Sequence, residues 1–147
     1  MSGVKCIACS GAVSLSASTA KTVLQLTTAT HHRAVLEGLS ITVAGTSAVD
    51  LTIRLLRQTT AGTAGTTSGL IAKVNPNNAE TVQTTGAANF SAEPTAGDLL
   101  QYKKLQGAYE KYFPFSGEIP VPGGTRVGVE VTAASAATVA VELAFEE

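Results

Sequence analysis

Apolar and polar residues alternate with a period of two in several short runs, and this pattern constrains the fold of the chain more than any other feature. The alternation is clearest near the C-terminus, where every second residue of 127–131 and of 139–145 is a large apolar residue. Because successive side chains of a β-strand point to opposite faces of a sheet, each run predicts a strand with one buried face. Only a short segment, 133–137, joins the two runs, so we expect them to form an antiparallel hairpin.

The same pattern recurs at 39–43 and 49–55, on either side of the turn residues Gly45-Thr46-Ser47. We therefore expect residues 33–44 and 48–58 to form a second antiparallel pair. No segment has a helical period of 3.6 residues over eleven residues, and about nine short strands favour an all-β fold, either a sandwich or a barrel. The remaining strand candidates are 4–16, 21–28, 70–74, 99–105 and 109–115, the last two joined around Gln106-Gly107.

With 147 residues, the chain has the size of one domain with an ordinary hydrophobic core. Two segments are poor in large apolar side chains. We therefore predict a single β-sandwich domain over 1–147, with a long Gly/Thr-rich loop at about 59–69 and an irregular connection at about 75–98. The loop at 59–69 has two interpretations: a plain surface loop, or an arm that becomes ordered against a neighbouring subunit.

The charge pattern bears on possible partners. Lys and Arg number 10 against 11 Asp and Glu, and the net charge is -1, so the strongly basic face of a nucleic-acid-binding protein is missing. The N-terminal residues lack the basic and apolar pattern of a secretory signal, and no apolar stretch approaches the length of a membrane span. We expect a protein made in the cytoplasm, with neither nucleic acid nor a membrane as its partner.

The search for reactive residues leads to the prediction that the protein is not an enzyme. Cys6 and Cys9 form a C-x-x-C pair, but no second pair or suitably spaced histidines follow to complete a zinc site. His31 and His32 are adjacent, so on a strand they would point to opposite faces. The usual nucleophile, phosphate-binding and metalloprotease motifs are missing. We therefore predict no catalytic residue, no cofactor and no metal, and interpret the cysteines as half-buried thiols on an N-terminal strand.

Residues 102–115 are the one region dense in side chains that favour protein interfaces, with tyrosines and phenylalanines interleaved with lysines. Three interpretations stay open: packing within a hairpin and the core, a protein–protein contact, and stacking on nucleic acid bases or sugars. The candidate protein–protein contacts combine this region with the Gly/Thr-rich loop and are Thr63, Gly65, Thr66, Tyr102, Tyr109 and Tyr112.

Three segments, 55–63, 89–95 and 121–129, together with the Thr/Ala/Val-rich closing strand, resemble small structural proteins of tailed bacteriophages. The resemblance runs from about residue 20 to the end and carries no catalytic residue. It implies a capsid decoration, or cement, protein that binds the major capsid protein on the outside of the assembled head. It further implies a jelly-roll-like antiparallel β-sandwich, a homotrimer, and a location on the capsid surface of the virion after synthesis in the bacterial cytoplasm.

Two other functions remain open. A head-completion, neck or tail component of the virion would form rings of higher order. A carbohydrate-binding β-sandwich module would use exposed aromatics, with Tyr102, Tyr109 and Tyr112 as its candidates.

Overall fold

A computed structural model describes residues 3–147 of the chain, apart from the side chains of residues 116–118. All regular elements within these residues are β-strands. They are β1 (Lys5–Cys9), β2 (Val13–Leu15), β3 (Lys21–Thr27), β4 (Ala34–Ala44), β5 (Val49–Gln58), β6 (Thr63–Thr66), β7 (Ile71–Lys73), β8 (Thr85–Ala92), β9 (Ala96–Ala108), β10 (Glu110–Val121), β11 (Arg126–Ala133) and β12 (Ala137–Glu146).

The strands form two six-stranded sheets that pack face to face. The first sheet has the order β10-β4-β12-β1-β7, with β2 also paired to β12, and the second has the order β6-β8-β3-β11-β5-β9. All pairings between these strands are antiparallel. Leaving aside β2 and the inserted strands β6, β7 and β8, the sheets read β10-β4-β12-β1 and β9-β5-β11-β3. This is the strand order of a jelly roll, so the predicted antiparallel, jelly-roll-like sandwich is confirmed.

The predicted faces of the C-terminal strands are also confirmed. All large apolar residues of the two alternating runs point into the space between the sheets. The fully buried members are Val127, Val129, Val131, Val139, Val141, Leu143 and Phe145.

The two predicted antiparallel pairs, in contrast, are wrong. β11 pairs with β3 and β5 in the second sheet, whereas β12 pairs with β1, β2 and β4 in the first. Likewise, β4 and β5 lie in opposite sheets, as do β9 and β10. Alternation identifies the buried face of a strand but not its hydrogen-bonded neighbours. Two consecutive strands with this pattern can therefore either pair side by side in one sheet or lie in opposite sheets and face each other across the core.

The predicted irregular segments contain strands. Residues 59–69 include β6, and residues 75–98 include all of β8 and the start of β9. β6 pairs with β8, which pairs in turn with β3, so this insertion extends the second sheet beyond the jelly roll. The prediction failed here because ladder hydrogen bonds come from the backbone and need no large apolar side chain.

Buried glutamines hold the start of the Gly/Thr-rich segment against the outer face of the second sheet. The Gln25 Nε2 group donates to Gln58 Oε1 at 2.7 Å and to the Thr60 carbonyl at 3.3 Å, and Gln58 Nε2 donates to Thr22 Oγ1 at 2.9 Å. Gln25, Gln58 and Thr22 are all buried. Because buried amides are costly when unpaired, this network ties the start of the segment to the sheet.

Candidate protein interface

One end of the sandwich leaves two long strands without an outer neighbour. β9 pairs only with β5, and β10 pairs only with β4, so each is the last strand of its sheet. A single residue, Tyr109, joins the two strands, so the two edges meet at the same end of the molecule. At the opposite end the last strands are β6 and β7, of 4 and 3 residues, against 13 and 12 residues for β9 and β10. Long open edges are natural sites of contact with another chain.

Exposed apolar side chains concentrate at this same end. Among the described residues, six large hydrophobic side chains are exposed, and four of them lie between residues 99 and 112. Leu99 is 49% exposed, Tyr102 56%, Tyr109 55% and Tyr112 56%. Tyrosine is enriched in protein interfaces because it contributes a large contact area together with a polar hydroxyl. We call this group, with the edges of β9 and β10, the tyrosine edge.

The three tyrosines of the tyrosine edge do not share one surface. Tyr102 pairs with Arg54, which pairs with Glu130 on the outer face of the second sheet. Tyr112 pairs with Ser40 and lies on the outer face of the first sheet. Tyr109 lies between them at the strand connection, so the tyrosines surround the end of the sandwich on both sides.

Local contacts position the connection and Tyr112. The Gly107 N–H donates to Asp50 Oδ1 at 2.6 Å, and the Val43 N–H donates to the Tyr109 carbonyl at 2.7 Å. The Tyr112 ring covers Gly38, where a Cβ atom would lie 2.9 Å from two of the ring carbons. Glycine at position 38 therefore gives the ring room to lie on the sheet.

Lys103 disfavours simple addition of another strand to β9. It pairs with Ile53 on the core-facing side of the sheet, and its Nζ lies 5.7 Å from the centroid of the Phe113 ring in the opposite sheet. Inward-pointing charges and register irregularities at an edge oppose edge-to-edge pairing, and the β9–β5 ladder has three register shifts. Contacts of the tyrosine edge are therefore expected to run through its side chains.

The structure separates the six candidate contact residues into two groups. Thr63, Gly65 and Thr66 lie on β6, at the edge of the second sheet opposite β9. With five strand spacings between them, β6 and β9 are about 24 Å apart. A small partner surface therefore cannot contact both groups at once. The hydrogen bonds of the described residues give no reason to treat the two groups as one contact surface.

The two cysteines lie on opposite faces of β1. Cys6 is buried in the core, whereas Cys9 is partly exposed and its Sγ lies 3.9 Å from Glu142 Oε1. Burial raises the pKa of the Cys6 thiol, so it is protonated at neutral pH. Within residues 3–147, as far as described, no group of three or more His, Cys, Asp or Glu side chains has the arrangement of a metal site. The same residues include no helix of the length and hydropathy needed to cross a membrane.

The sequence did not indicate an open pocket of about 450 Å³ that lies between the start of β9 and the start of β11. Its lining includes Arg57, Asp98 and Arg126. One signal was available: Arg57 continues the alternation of Val49, Leu51, Ile53 and Leu55, which puts an arginine at a core-facing position.

No protein family model, no curated protein and no solved structure matches this chain. The fold and the candidate interface define its class as a jelly-roll β-sandwich with an exposed tyrosine edge.

Proposed function

We propose that this protein is a capsid decoration protein of a tailed bacteriophage, which binds the assembled head and stabilises it without catalysing a reaction. Its partner is the major capsid protein of the same virion, and its place is the outer capsid surface. The proposal combines the resemblance of segments 55–63, 89–95 and 121–129 to phage structural proteins with the concentration of exposed side chains at the tyrosine edge.

The tyrosine edge is the single observation that carries the proposal. A protein that cements a lattice contacts more than one neighbour, and the sandwich end presents Tyr102 on one outer face and Tyr112 on the other. Such an end fits between two capsid subunits. Each contact needs only a modest affinity, because many copies act together on one head.

Self-association is part of the proposal. Only 14% of the residues are charged, and the net charge is -1, so charge repulsion between copies is weak. We propose a homotrimer, in which three sandwich bodies leave their tyrosine edges free for the capsid.

Co-sedimentation with assembled heads tests the proposal. Heads assembled from the major capsid protein of the same genome are mixed with the wild-type protein, the Tyr102→Ala/Tyr112→Ala variant, or a Val74→Ala control. Val74 is 59% exposed but follows β7, away from the tyrosine edge. We expect the wild type and the control to pellet with the heads and the tyrosine variant to stay in the supernatant. Failure of the wild type to pellet would contradict the proposal.

The exposed tyrosines also favour a second candidate, a carbohydrate-binding module. A sugar platform needs aromatic rings on one surface, whereas Tyr102 and Tyr112 lie on opposite faces of the sandwich. The capsid proposal is therefore preferred. Binding on a glycan array that is lost in the tyrosine variant would reverse this order.

A further inference from the structure

The tyrosine edge carries a positive charge that the rest of the chain does not share. Residues 99–113 contain three lysines and one carboxylate, although the net charge of the whole chain is -1. Lys103, Lys104 and Lys111 are all exposed, and the ion pairs within 4.0 Å among the described side chains involve none of them. These three charges can therefore attract a partner.

Two of the lysines lie on the sides of β9 and β10 that face each other. Lys103 pairs with Ile53 of β5. Lys111 pairs with Ile41 of β4. Because both isoleucines are buried in the core, both lysines occupy core-facing positions of their strands. Glu110 directly precedes Lys111, so it occupies an outward-facing position. The gap between the two edges is therefore flanked by two lysines, while the one carboxylate of the stretch faces away.

The gap between β9 and β10 has an apolar floor. Phe113 and Phe115 are partly buried against the core and line a small cavity together with aliphatic core side chains. The Lys103 Nζ lies 5.7 Å from the centroid of the Phe113 ring, a distance at which an ammonium group is attracted to a ring face. The cavity has a volume of about 10 Å³, room for about one water molecule. A partner group therefore meets the lysine at the rim of the gap rather than inside it.

The chemistry of the gap favours a protein carboxylate as the group that meets the lysines. An ammonium group donates hydrogen bonds and accepts none, so its strongest partners are carboxylates and phosphates. The phosphates of a single-stranded nucleic acid fit less well, because successive bases stack on aromatic rings that follow one path. Tyr102 and Tyr112 lie on opposite outer faces of the sandwich and offer no such path.

We propose that the tyrosine edge recognises an acidic surface of its protein partner, with Lys103 and Lys111 meeting carboxylate groups at the rim of the gap. The tyrosines cover apolar groups around these carboxylates. Lys104 pairs with Thr52 on the outer face of the second sheet and adds attraction at longer range. This inference rests on the proposed function, since it adds the chemistry of the capsid surface that the tyrosine edge binds.

Co-sedimentation with heads assembled from the same genome tests the inference at sodium chloride concentrations from about 50 to about 300 mM, because salt screens the attraction between exposed charges. The wild type is compared with Lys103→Gln/Lys111→Gln. The matched control is Lys21→Gln/Lys73→Gln, which removes the same charge from β3 and β7, away from β9 and β10. Circular dichroism establishes that each variant is folded.

We expect the apparent affinity of the wild type and of the control to fall as the salt concentration rises. At low salt, Lys103→Gln/Lys111→Gln should bind about tenfold more weakly than the wild type, because two ion pairs are lost in every copy and many copies act together. Its affinity should also depend less on salt. Lys103→Arg/Lys111→Arg keeps both charges and should bind like the wild type.

The outcomes separate this inference from the proposed function. A wild-type protein that does not pellet at any salt concentration contradicts capsid binding itself. A wild type that pellets with an affinity independent of salt, or no more tightly than Lys103→Gln/Lys111→Gln, leaves capsid decoration in place and overturns the acidic partner surface. Fluorescence anisotropy with labelled single-stranded DNA gives the remaining outcome. Binding that is lost in Lys103→Gln/Lys111→Gln and kept in the control would overturn the inference in favour of a nucleic acid.

Discussion

Val141→Asp tests the jelly-roll core at one of its most enclosed positions. Val141 lies on β12, is fully buried, and faces the second sheet. Removing its side chain from the core forfeits about 1.5–3 kcal/mol of burial free energy. An aspartate there must also be kept protonated near pH 7, about 3 units above its ordinary pKa, at about 1.4 kcal/mol per unit.

The two contributions together amount to about 6 kcal/mol, a large part of the 5–15 kcal/mol that holds a typical domain folded. Because burial raises the pKa of the introduced carboxyl in the folded state, the ionisation part of the loss should vanish below the unfolded-state pKa of about 3.9 and grow as the pH rises above it, while the burial part stays at every pH. Urea unfolding followed by circular dichroism at about pH 4 and at about pH 7 measures both the size of the loss and its pH dependence.

Ala140→Asp is the matched control, because it introduces the same side chain one residue away on the outer face of the sheet. Ala140 is half-buried and pairs with the exposed Thr42. It should cost about 1 kcal/mol or less, mostly through the poor strand propensity of aspartate. Equal stability of the two variants, or a Val141→Asp loss that does not change with pH, would refute the assigned strand faces.

Two further predictions concern the fold, and a third concerns the proposed homotrimer. Gln58→Ala should lower the free energy of unfolding by about 1–3 kcal/mol, because it leaves buried partners such as Gln25 unpaired. It should also increase proteolysis within residues 59–69, and unchanged cleavage would show that the glutamine network does not hold that segment. At neutral pH, iodoacetamide should modify the partly exposed Cys9 but not the buried Cys6, as measured by mass spectrometry; two modified thiols in the native protein would contradict the burial of Cys6. Light scattering should give a particle mass of three times the chain mass of 14.9 kDa, whereas the mass of a ring of six or twelve copies would favour a neck or tail component.

The alternation of apolar residues predicted the buried faces correctly but not the strand neighbours. Val129 and Val141 face the same core, yet they belong to different sheets. A period of two carries information about one strand at a time, and hydrogen-bonded partners depend on how the connections cross between sheets. Only the resemblance to phage proteins favoured a jelly roll over other sandwiches.

The Gly/Thr-rich segment shows a second limit of sequence reasoning. Its composition lacks apolar anchors, and its attachment depends on Gln58, which directly precedes it, and on Gln25, which is 35 residues from Thr60 along the chain and adjacent to it only in the fold. Buried glutamines cannot be distinguished from exposed ones by composition, because glutamine is usually a surface residue.

The candidate interface was predicted in part. The cluster of Tyr102, Tyr109 and Tyr112 was visible in the sequence, and all three are exposed. Their distribution over both outer faces of the sandwich depends on β9 and β10 lying in different sheets, which the cluster in the sequence does not indicate. The distance of Thr63 from these tyrosines depends on the same strand order.

Electron cryomicroscopy of heads carrying the bound protein tests most directly whether the tyrosine edge is the capsid-binding surface. The expected density shows the sandwich on the outside of the head, with the connection at Tyr109 against the capsid and Tyr102 and Tyr112 facing neighbouring subunits. Density that places the β6 and β7 end against the capsid, or heads without any bound density, would contradict this assignment.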